Sequence, residues 1–197
     1  PPALAGRDVI GCAQTGTGKT AAFVIPMIER LSILPKGQPK ALILAPTREL
    51  ALQTLTTIEK LGRSRRISAT VIVGGADMQA QVRGLRQRPD ILVATPGRLL
   101  DHMWNGTILL SSIKMLVLDE GFAPQINQIL DALPEERQTL LFSATLPADL
   151  ARLVQASVNN PVRVMVAPSA TTADGVTQAG HHTSHADKSD LLLSLLG

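Results

Sequence analysis

Aromatic residues are nearly absent from this chain of 197 residues. Phe, Trp and Tyr together make up 2% of the sequence, and tyrosine does not occur. Proteins that bind single-stranded nucleic acid commonly stack successive bases on aromatic rings. The composition therefore excludes a stacking platform of several rings. If the chain binds nucleic acid, we expect it to hold the sugar–phosphate backbone without regard to sequence.

Cysteine and long apolar runs are also scarce. Cys12 is the only cysteine, so an internal disulfide is impossible and a reducing, cytoplasmic location is expected. No apolar run reaches the roughly 20 residues that cross a bilayer, and the amino terminus is not a signal peptide, so we expect no membrane contact. A composition that is 45% hydrophobic fits a globular domain. The net charge of +3 permits a nucleic-acid partner without requiring one.

Short aliphatic runs alternate with stretches of helical periodicity. We predict strands at Asp8–Cys12, Ala41–Ala45, Ile67–Val73, Ile91–Ala94, Met115–Asp119, Thr139–Ser143 and Val162–Val166. We predict helices at Thr20–Leu31, Glu49–Leu61, Met78–Arg86, Leu99–Met103, Gln125–Leu133 and Ala148–Ala156. This alternation predicts an α/β fold with a mostly parallel sheet of about seven strands and helices on both faces.

The pattern ends after Val166. Ala167–Gln178 is small and polar, which is typical of a linker, and Asp187–Leu196 has the pattern of a helix start. We therefore expect one domain over residues 1–166. Residues 167–197 are expected to form a linker and the beginning of a second unit.

A glycine-rich loop, AQTGTGKT, follows the first predicted strand. Its glycines allow the backbone to curl so that successive N–H groups point at phosphate oxygens, and the following helix adds its positive end. Lys19 is predicted to reach the β- and γ-phosphates, and the Thr20 hydroxyl to ligate Mg²⁺. A turn that merely precedes a helix is the alternative, but strand, loop and helix all lie where a phosphate loop requires them. The predicted nucleotide-binding residues are Ala13, Gln14, Thr15, Gly16, Thr17, Gly18, Lys19 and Thr20.

Two carboxylates, Asp119 and Glu120, close the fifth predicted strand. After an apolar strand in a phosphate-loop protein, the first acid supports Mg²⁺ and the second polarises the attacking water. An Asp-Glu pair at a turn or a helix start is the alternative. The phosphate loop in the same domain favours the catalytic interpretation, so Lys19, Asp119 and Glu120 are the predicted catalytic residues, with Thr20 and Asp119 at the metal.

Four further motifs follow predicted strands. PTRELA (Pro46–Ala51) follows the second, Gly74–Gly75 the third, TPGR (Thr95–Arg98) the fourth and SAT (Ser143–Thr145) the sixth. Together with AQTGTGKT and LVLDE, in this order, they closely resemble the first RecA-like domain of DEAD-box RNA helicases. The resemblance runs from Pro1 to about Val166, and the remainder resembles the entry to that family's second domain.

The resemblance implies an ATP- and Mg²⁺-dependent RNA helicase that works as a monomer with a second RecA-like domain in the same chain. Ser143, Ala144 and Thr145 would couple the nucleotide to RNA unwinding. Thr47 and Gly74–Gly75 also have ordinary explanations, as a helix cap and a turn. We assign no structural role to Arg48 and Arg98. The implied RNA-binding residues are Pro46, Thr47, Arg48, Gly74, Gly75, Thr95, Pro96, Gly97 and Arg98.

The resemblance also marks what this sequence lacks. The family's adenine-recognition segment would precede Pro1, and the arginine fingers belong to the second domain. The family reads Asp-Glu-Ala-Asp, with Gly-Phe a turn or two later, whereas here Glu120 runs directly into Gly121.

One interpretation of the Glu120–Gly121 junction is a true deletion, which would leave a non-catalytic nucleotide- and RNA-binding module. The other, favoured by the undisturbed flanks, is that residues are missing from the sequence at that point. A DNA-directed ATPase with the same core is a third alternative.

Three weaker signals receive ordinary interpretations. The cluster His181, His182 and His185 is expected to be a solvated tail rather than a metal site. The run Arg63–Arg66 is expected to be a solvated loop, with an auxiliary RNA contact as the alternative. Trp104 is expected to pack against the domain.

Overall fold

Strands and helices alternate in the computed structural model, which describes residues 2–13, 16–119, 126–143, 157–165, 183, 191 and 193–194. The strands are β1 (Val9–Cys12), β2 (Ala41–Leu44), β3 (Ala69–Ile72), β4 (Ile91–Ala94), β5 (Met115–Asp119), β6 (Gln138–Ser143) and β7 (Val162–Met165). The helices are α1 (Lys19–Leu31), α2 (Arg48–Gly62), α3 (Met78–Arg86), α4 (Pro96–Trp104) and α5 (Ile126–Asp131), with a 3₁₀ turn at Arg63–Arg65. The chain divides into two compact units, Pro1–Ala167 and Pro168–Gly197.

The seven strands form one sheet in the order β3-β4-β2-β5-β6-β1-β7. Every neighbouring pair is parallel. Successive residues of a strand face opposite sides of the sheet, as Leu42 and Ile43 do in β2. Ile43 packs in the hydrophobic cluster that contains Phe23 of α1 and Ile58 of α2. Leu42 packs on the opposite face of the sheet, in the cluster that contains Leu99 of α4. The predicted parallel sheet with helices on both faces is confirmed.

Two predicted starts, those of one helix and one strand, were wrong for local structural reasons. Helix α4 begins at Pro96 rather than Leu99, because proline has no N–H to lose and its fixed φ suits the first helical position. Strand β3 begins at Ala69 rather than Ile67, because the Ser68 N–H donates to the carboxylate of Asp90 at 2.8 Å instead of extending the ladder. The predicted helix Ala148–Ala156 lies outside the described residues.

Trp104 corrects another expectation, because it is 71% exposed rather than packed. It is the last residue of α4, and the buried residues of that helix all precede it, namely Pro96, Leu99, Leu100 and His102. The three histidines 181, 182 and 185 lie outside the described residues. Within the part of the chain that is described, none of the helices has the length and apolar character needed to span a membrane.

Candidate functional site

The carboxyl ends of the parallel strands place the predicted motifs along one edge of the sheet, where ligands of open α/β folds bind. Across the sheet, the loops after β3, β4 and β2 carry the motifs predicted to hold RNA. Next come β5, which ends in Asp119, then β6, which ends in Ser143, and then β1 with the phosphate loop. The motifs are therefore ordered in space differently from their order in the chain. The SAT motif begins between the phosphate loop and the carboxylate strand.

The phosphate loop has the backbone that its glycines predict. Gly16 and Gly18 have φ values of 82° and 88°, in the left-handed region that glycine adopts without strain. A Cβ atom built on either residue meets no other atom within 4 Å. Among the described residues, the space at these two positions of the loop is therefore open. Gln14 and Thr15 lie outside the described residues.

Lys19 forms a hydrogen bond across the phosphate loop. It is the first residue of α1, and its Nζ donates to the carbonyl oxygen of Ala13 at 2.9 Å. The first turn of α1 carries no acidic residue, so the positive end of the helix dipole is not offset there. Lys19 and the helix start thus place positive charge around a cradle of backbone N–H groups, which fits a chain of phosphates.

Asp119 lies close to this cradle and is only 7% exposed. It pairs in register with Phe142, and Ser143 pairs with Cys12 at the base of the phosphate loop. The N–H of Ala13 donates to the carbonyl oxygen of Ser143 at 3.2 Å. Because neighbouring strands lie about 4.8 Å apart, the strand ends bring Asp119 within two strand spacings of the loop.

Thr20 lies in the first turn of α1, and Asp119 ends β5. Within the described residues, no group of three or more His, Cys, Asp or Glu side chains could hold a metal ion alone. Magnesium commonly uses one or two protein oxygens and takes its remaining ligands from water and phosphate. Thr20 and Asp119 suit that mode. Glu120, Ala144 and Thr145 lie outside the described residues.

A cavity of about 360 Å³ opens beside the phosphate loop. Thr17, Gly18 and Lys19 form one part of its lining, and apolar side chains such as Ile25 and Phe142 form another. A phosphate cradle that continues into an apolar wall suits a nucleotide. Burial raises the pKa of the Cys12 thiol, although Arg163 and Lys19 act in the opposite direction. A neutral buried thiol is a packing residue, not a nucleophile.

The loops after β2, β3 and β4 touch one another. Nη1 of Arg48 donates to the carbonyl oxygen of Gly75 at 3.2 Å, and Nη1 of Arg98 donates to that of Ala76 at 3.0 Å. Nε of Arg98 also lies 3.5 Å from a carboxylate oxygen of Asp101. The expectation that the two arginines have no structural role was wrong, because both hold the glycine loop. A guanidinium has five N–H donors, so exposed Arg48 still has donors to offer a ligand.

The comparisons with known proteins agree with this geometry. A family model described as DEAD/DEAH box helicase matches residues 1–153. The chain belongs to the DEAD/DEAH box helicase family. It is 46% identical to the ATP-dependent RNA helicase DRS1 of Pyricularia oryzae, over 90% of this chain and 24% of that protein. It is 42% identical to the ATP-dependent RNA helicase CshA of Limosilactobacillus reuteri, over 100% of this chain and 41% of that protein.

A solved structure supports the same assignment. The hypothetical ATP-dependent RNA helicase from Sulfolobus tokodaii superposes with a TM-score of 0.76 and 36% identity, over 84% of this chain and 50% of that chain. The predicted RecA-like fold is thereby confirmed. The chain spans less than half the length of the two curated relatives described above.

This DEAD/DEAH box family domain also has a buried polar pair that the sequence analysis missed. Nε2 of Gln81 donates to the carbonyl oxygen of Val73 at 2.9 Å, immediately before the glycine loop. Oε1 of Gln81 lies 3.2 Å from Nε2 of His102, whose Nδ1 lies 2.7 Å from the Thr107 hydroxyl. Burial lowers the pKa of His102, as does nearby Arg98, while Asp101 raises it. The only sign of this pair in the sequence was a histidine on the apolar face of α4.

A second missed residue, Asp8, anchors the strand that leads to the phosphate loop. One of its carboxylate oxygens accepts from the Thr139 N–H at 2.8 Å, and the other from the Asn159 N–H at 2.6 Å. Asp8 is 6% exposed. It therefore ties β1 to the start of β6 and to the segment before β7, which fixes the strand that carries the nucleotide cradle of this family domain.

Proposed function

We propose that this chain is the first RecA-like domain of an ATP-dependent RNA helicase, in which ATP hydrolysis drives local unwinding of duplex RNA. The domain extends over residues 1–166, and residues 167–197 form the linker and the start of the second RecA-like domain. Family membership favours this proposal over a non-catalytic module. The lone cysteine is in keeping with a reducing, cytoplasmic location, and we propose that the enzyme works as a monomer.

One observation carries the proposal, namely the spatial order of the motifs. The loops for RNA follow β3, β4 and β2, the carboxylate follows β5, and the phosphate loop follows β1, with β6 and Ser143 between. Three strand steps separate β2 from β1, which is about 14 Å. Two ligands can therefore bind side by side on one rigid edge, and a change at the γ-phosphate needs to cross only β6 and β5 to reach the RNA loops.

In the proposed mechanism the residues of the cradle stabilise the negative charge of the phosphates. Backbone N–H groups between residues 14 and 20 would hold the phosphates together with Lys19, and Thr20 and Asp119 would hold the metal. Bound Mg²⁺ would neutralise the charge that builds on the β- and γ-phosphates. Glu120 would accept a proton from the attacking water. The arginine fingers of a second domain would neutralise the remaining transition-state charge, so this chain alone should hydrolyse ATP very slowly.

The RNA loops are proposed to hold the backbone of a single strand. Pro46 and Thr47 follow β2 and are exposed, as are Gly74 and Gly75 after β3 and Gly97 in the first turn of α4. Exposed backbone N–H groups and guanidinium donors at one edge suit phosphates, which every sequence shares. The preference for RNA over DNA comes from the family.

The test measures ATP hydrolysis and ligand binding by the complete protein and by this chain. We expect RNA-stimulated hydrolysis in the complete protein, loss of hydrolysis with retained ATP binding in Glu120→Gln, and very slow hydrolysis by this chain. Competition between single-stranded RNA and DNA of equal length tests the nucleic-acid preference. Robust RNA-stimulated turnover by this chain alone would overturn the proposed need for the second domain.

A further inference from the structure

Two arginines contact the glycine loop after β3, and their surroundings differ. Arg48 is the first residue of α2, and Arg98 is the third residue of α4. Nη1 of Arg48 donates to the Gly75 carbonyl oxygen at 3.2 Å, and Nη1 of Arg98 donates to that of Ala76 at 3.0 Å. Because these bonds reach neighbouring residues of one loop, a difference in role must come from what else each arginine contacts.

Arg98 is largely enclosed, and its charge is offset by a carboxylate. Its side chain is 15% exposed, and its Nε lies 3.5 Å from a carboxylate oxygen of Asp101, which is three residues further along α4. Since Nη1 already donates to Ala76, two of its three guanidinium nitrogens face protein oxygens. A phosphate that approached Arg98 would also come close to the carboxylate of Asp101, and like charges repel each other.

Arg48, in contrast, is exposed. Within the part of the chain that the structure describes, its guanidinium bonds the neutral carbonyl oxygen of Gly75 and forms no ion pair with a carboxylate. The adjacent Glu49 accepts from Nε2 of Gln53 instead, at 3.4 Å. Arg48 also lies at the positive end of the α2 dipole, where a cation is unfavourable. An anionic ligand at this position would offset both positive charges.

We propose that the two arginines have different roles in RNA binding. Arg48 binds an RNA phosphate, whereas Arg98 positions the glycine loop and does not bind RNA itself. Asp101 holds Arg98 in place, so it is a second positioning residue of the RNA site and acts only through Arg98 and the loop. The inference rests on the proposed function, since it takes RNA as the ligand of these loops.

The salt dependence of binding separates a phosphate contact from a positioning contact. The complete protein is titrated into fluorescein-labelled single-stranded oligouridylate with Mg²⁺ and a non-hydrolysable ATP analogue, at several KCl concentrations, and fluorescence anisotropy is recorded. Arg48→Gln should lower the slope of log affinity against log salt by about 0.7, which corresponds to one phosphate contact with a single strand. Arg98→Gln should weaken binding and leave the slope nearly unchanged. An equal fall in slope in the two variants would overturn the proposal.

Lysine variants compare the two positions at constant charge. A lysine binds a phosphate as a point charge, but it lacks the planar fork with which arginine reaches two acceptors at once. Arg48→Lys should therefore retain most of the RNA affinity. Arg98→Lys should lose about as much affinity as Arg98→Gln, because an ammonium group cannot reproduce the contacts with Ala76 and Asp101 together. Full RNA affinity in Arg98→Lys would contradict the positioning role.

Asp101 provides a test in which the two possible roles of Arg98 predict opposite signs. If Asp101 positions Arg98, Asp101→Asn should weaken RNA binding even though it removes a negative charge. If Arg98 binds a phosphate, the same variant loses a competing carboxylate and should bind RNA more tightly, which would overturn the proposal. Asp101→Glu retains the carboxylate and should restore part of the affinity. The matched control, Glu59→Gln, removes one charge from the exposed side of α2 and should change RNA affinity by less than about twofold.

The inference and the proposed function fail in different ways. If the unmodified protein does not bind oligouridylate, the proposed function fails. If it binds, Arg48→Gln lowers the slope and Asp101→Asn strengthens binding, the RNA loops stand and Arg98 is a phosphate ligand. Circular dichroism checks that each variant is folded. Should the Arg98 variants not fold, Arg48→Gln and Asp101→Asn still decide, because the Arg48 side chain is exposed and that of Asp101 is 47% exposed.

Discussion

Nη1 of Arg48 donates a hydrogen bond to the carbonyl oxygen of Gly75, at 3.2 Å. The same loop is held at Ala76 by Arg98 and at Val73 by Gln81. Three helices, α2, α4 and α3, therefore each contribute one side chain to the carbonyls of one short loop. These three contacts together fix the backbone of the loop, and so they set the direction of its N–H groups.

The glycine pair in this loop provides a matched test. Gly75 has φ 71°, and a Cβ atom there would lie 3.4 Å from Nη1 of Arg48, whereas Gly74 has no such φ and an open Cβ position. Gly75→Ala should lower the free energy of unfolding by about 1–2 kcal/mol and weaken RNA binding. Gly74→Ala should change stability by less than about 0.5 kcal/mol. Urea unfolding and RNA titration measure both effects, and equal losses in the two variants would contradict the assigned backbone strain.

Local sequence pattern predicted the strands and the motifs well, for a physical reason. The five inner strands are buried on both faces, so a strand such as Ala41–Leu44 appears as a continuous aliphatic run. The motifs follow these runs because ligands bind at strand ends. The contacts of Arg48 and Gln81 could not be predicted in this way, because their partners lie in other loops. Neither could the left-handed backbone of Arg88, a residue type that gives no turn signal.

Lys19 should dominate nucleotide affinity. Its Nζ lies 2.9 Å from the Ala13 carbonyl oxygen, which places the charge across the cradle. Charge-assisted hydrogen bonds contribute about 1.5–3 kcal/mol, so Lys19→Ala should weaken ATP binding by about tenfold to a hundredfold. The control, Lys60→Ala, removes the same charge from the last turn of α2. Calorimetry with ATP and Mg²⁺ measures both, and unchanged affinity in Lys19→Ala would remove this lysine from the site.

His102 should make stability depend on pH. Its pKa is lowered from the ordinary value of 6.5, chiefly by burial, so below about pH 6.5 the unfolded chain binds a proton that the folded chain does not. The free energy of unfolding should therefore fall as the pH drops from 7.5 to 5.5. His102→Gln has no such titration, so its stability should fall less over the same interval. It should also be less stable at pH 7.5, by about 1–3 kcal/mol, because the Gln81 and Thr107 contacts are disturbed.

Urea unfolding of both proteins at several pH values makes this comparison, and RNA affinity of the same samples gives a second readout. The Gln81–His102 pair holds Val73, next to the glycine loop. His102→Gln should therefore weaken RNA binding and leave ATP binding nearly unchanged. Parallel stability curves for the two proteins between pH 7.5 and 5.5 would show that His102 does not titrate in this interval.

Gly11 should tolerate no side chain, because the ring of Phe142 occupies its Cβ position. A Cβ atom on Gly11 would lie 2.7 Å from Cδ1 and Cε1 of Phe142, and that ring packs against Phe23 with centroids 5.4 Å apart. Gly11→Ala should cost about 1–3 kcal/mol through overpacking. It should also weaken ATP binding, since Gly11 and Phe142 line the cavity beside the phosphate loop. Adding Phe142→Leu to Gly11→Ala removes the clash, so the double variant should be more stable than the sum of the single losses predicts. Additive losses in urea unfolding would mean that the ring moves aside without cost.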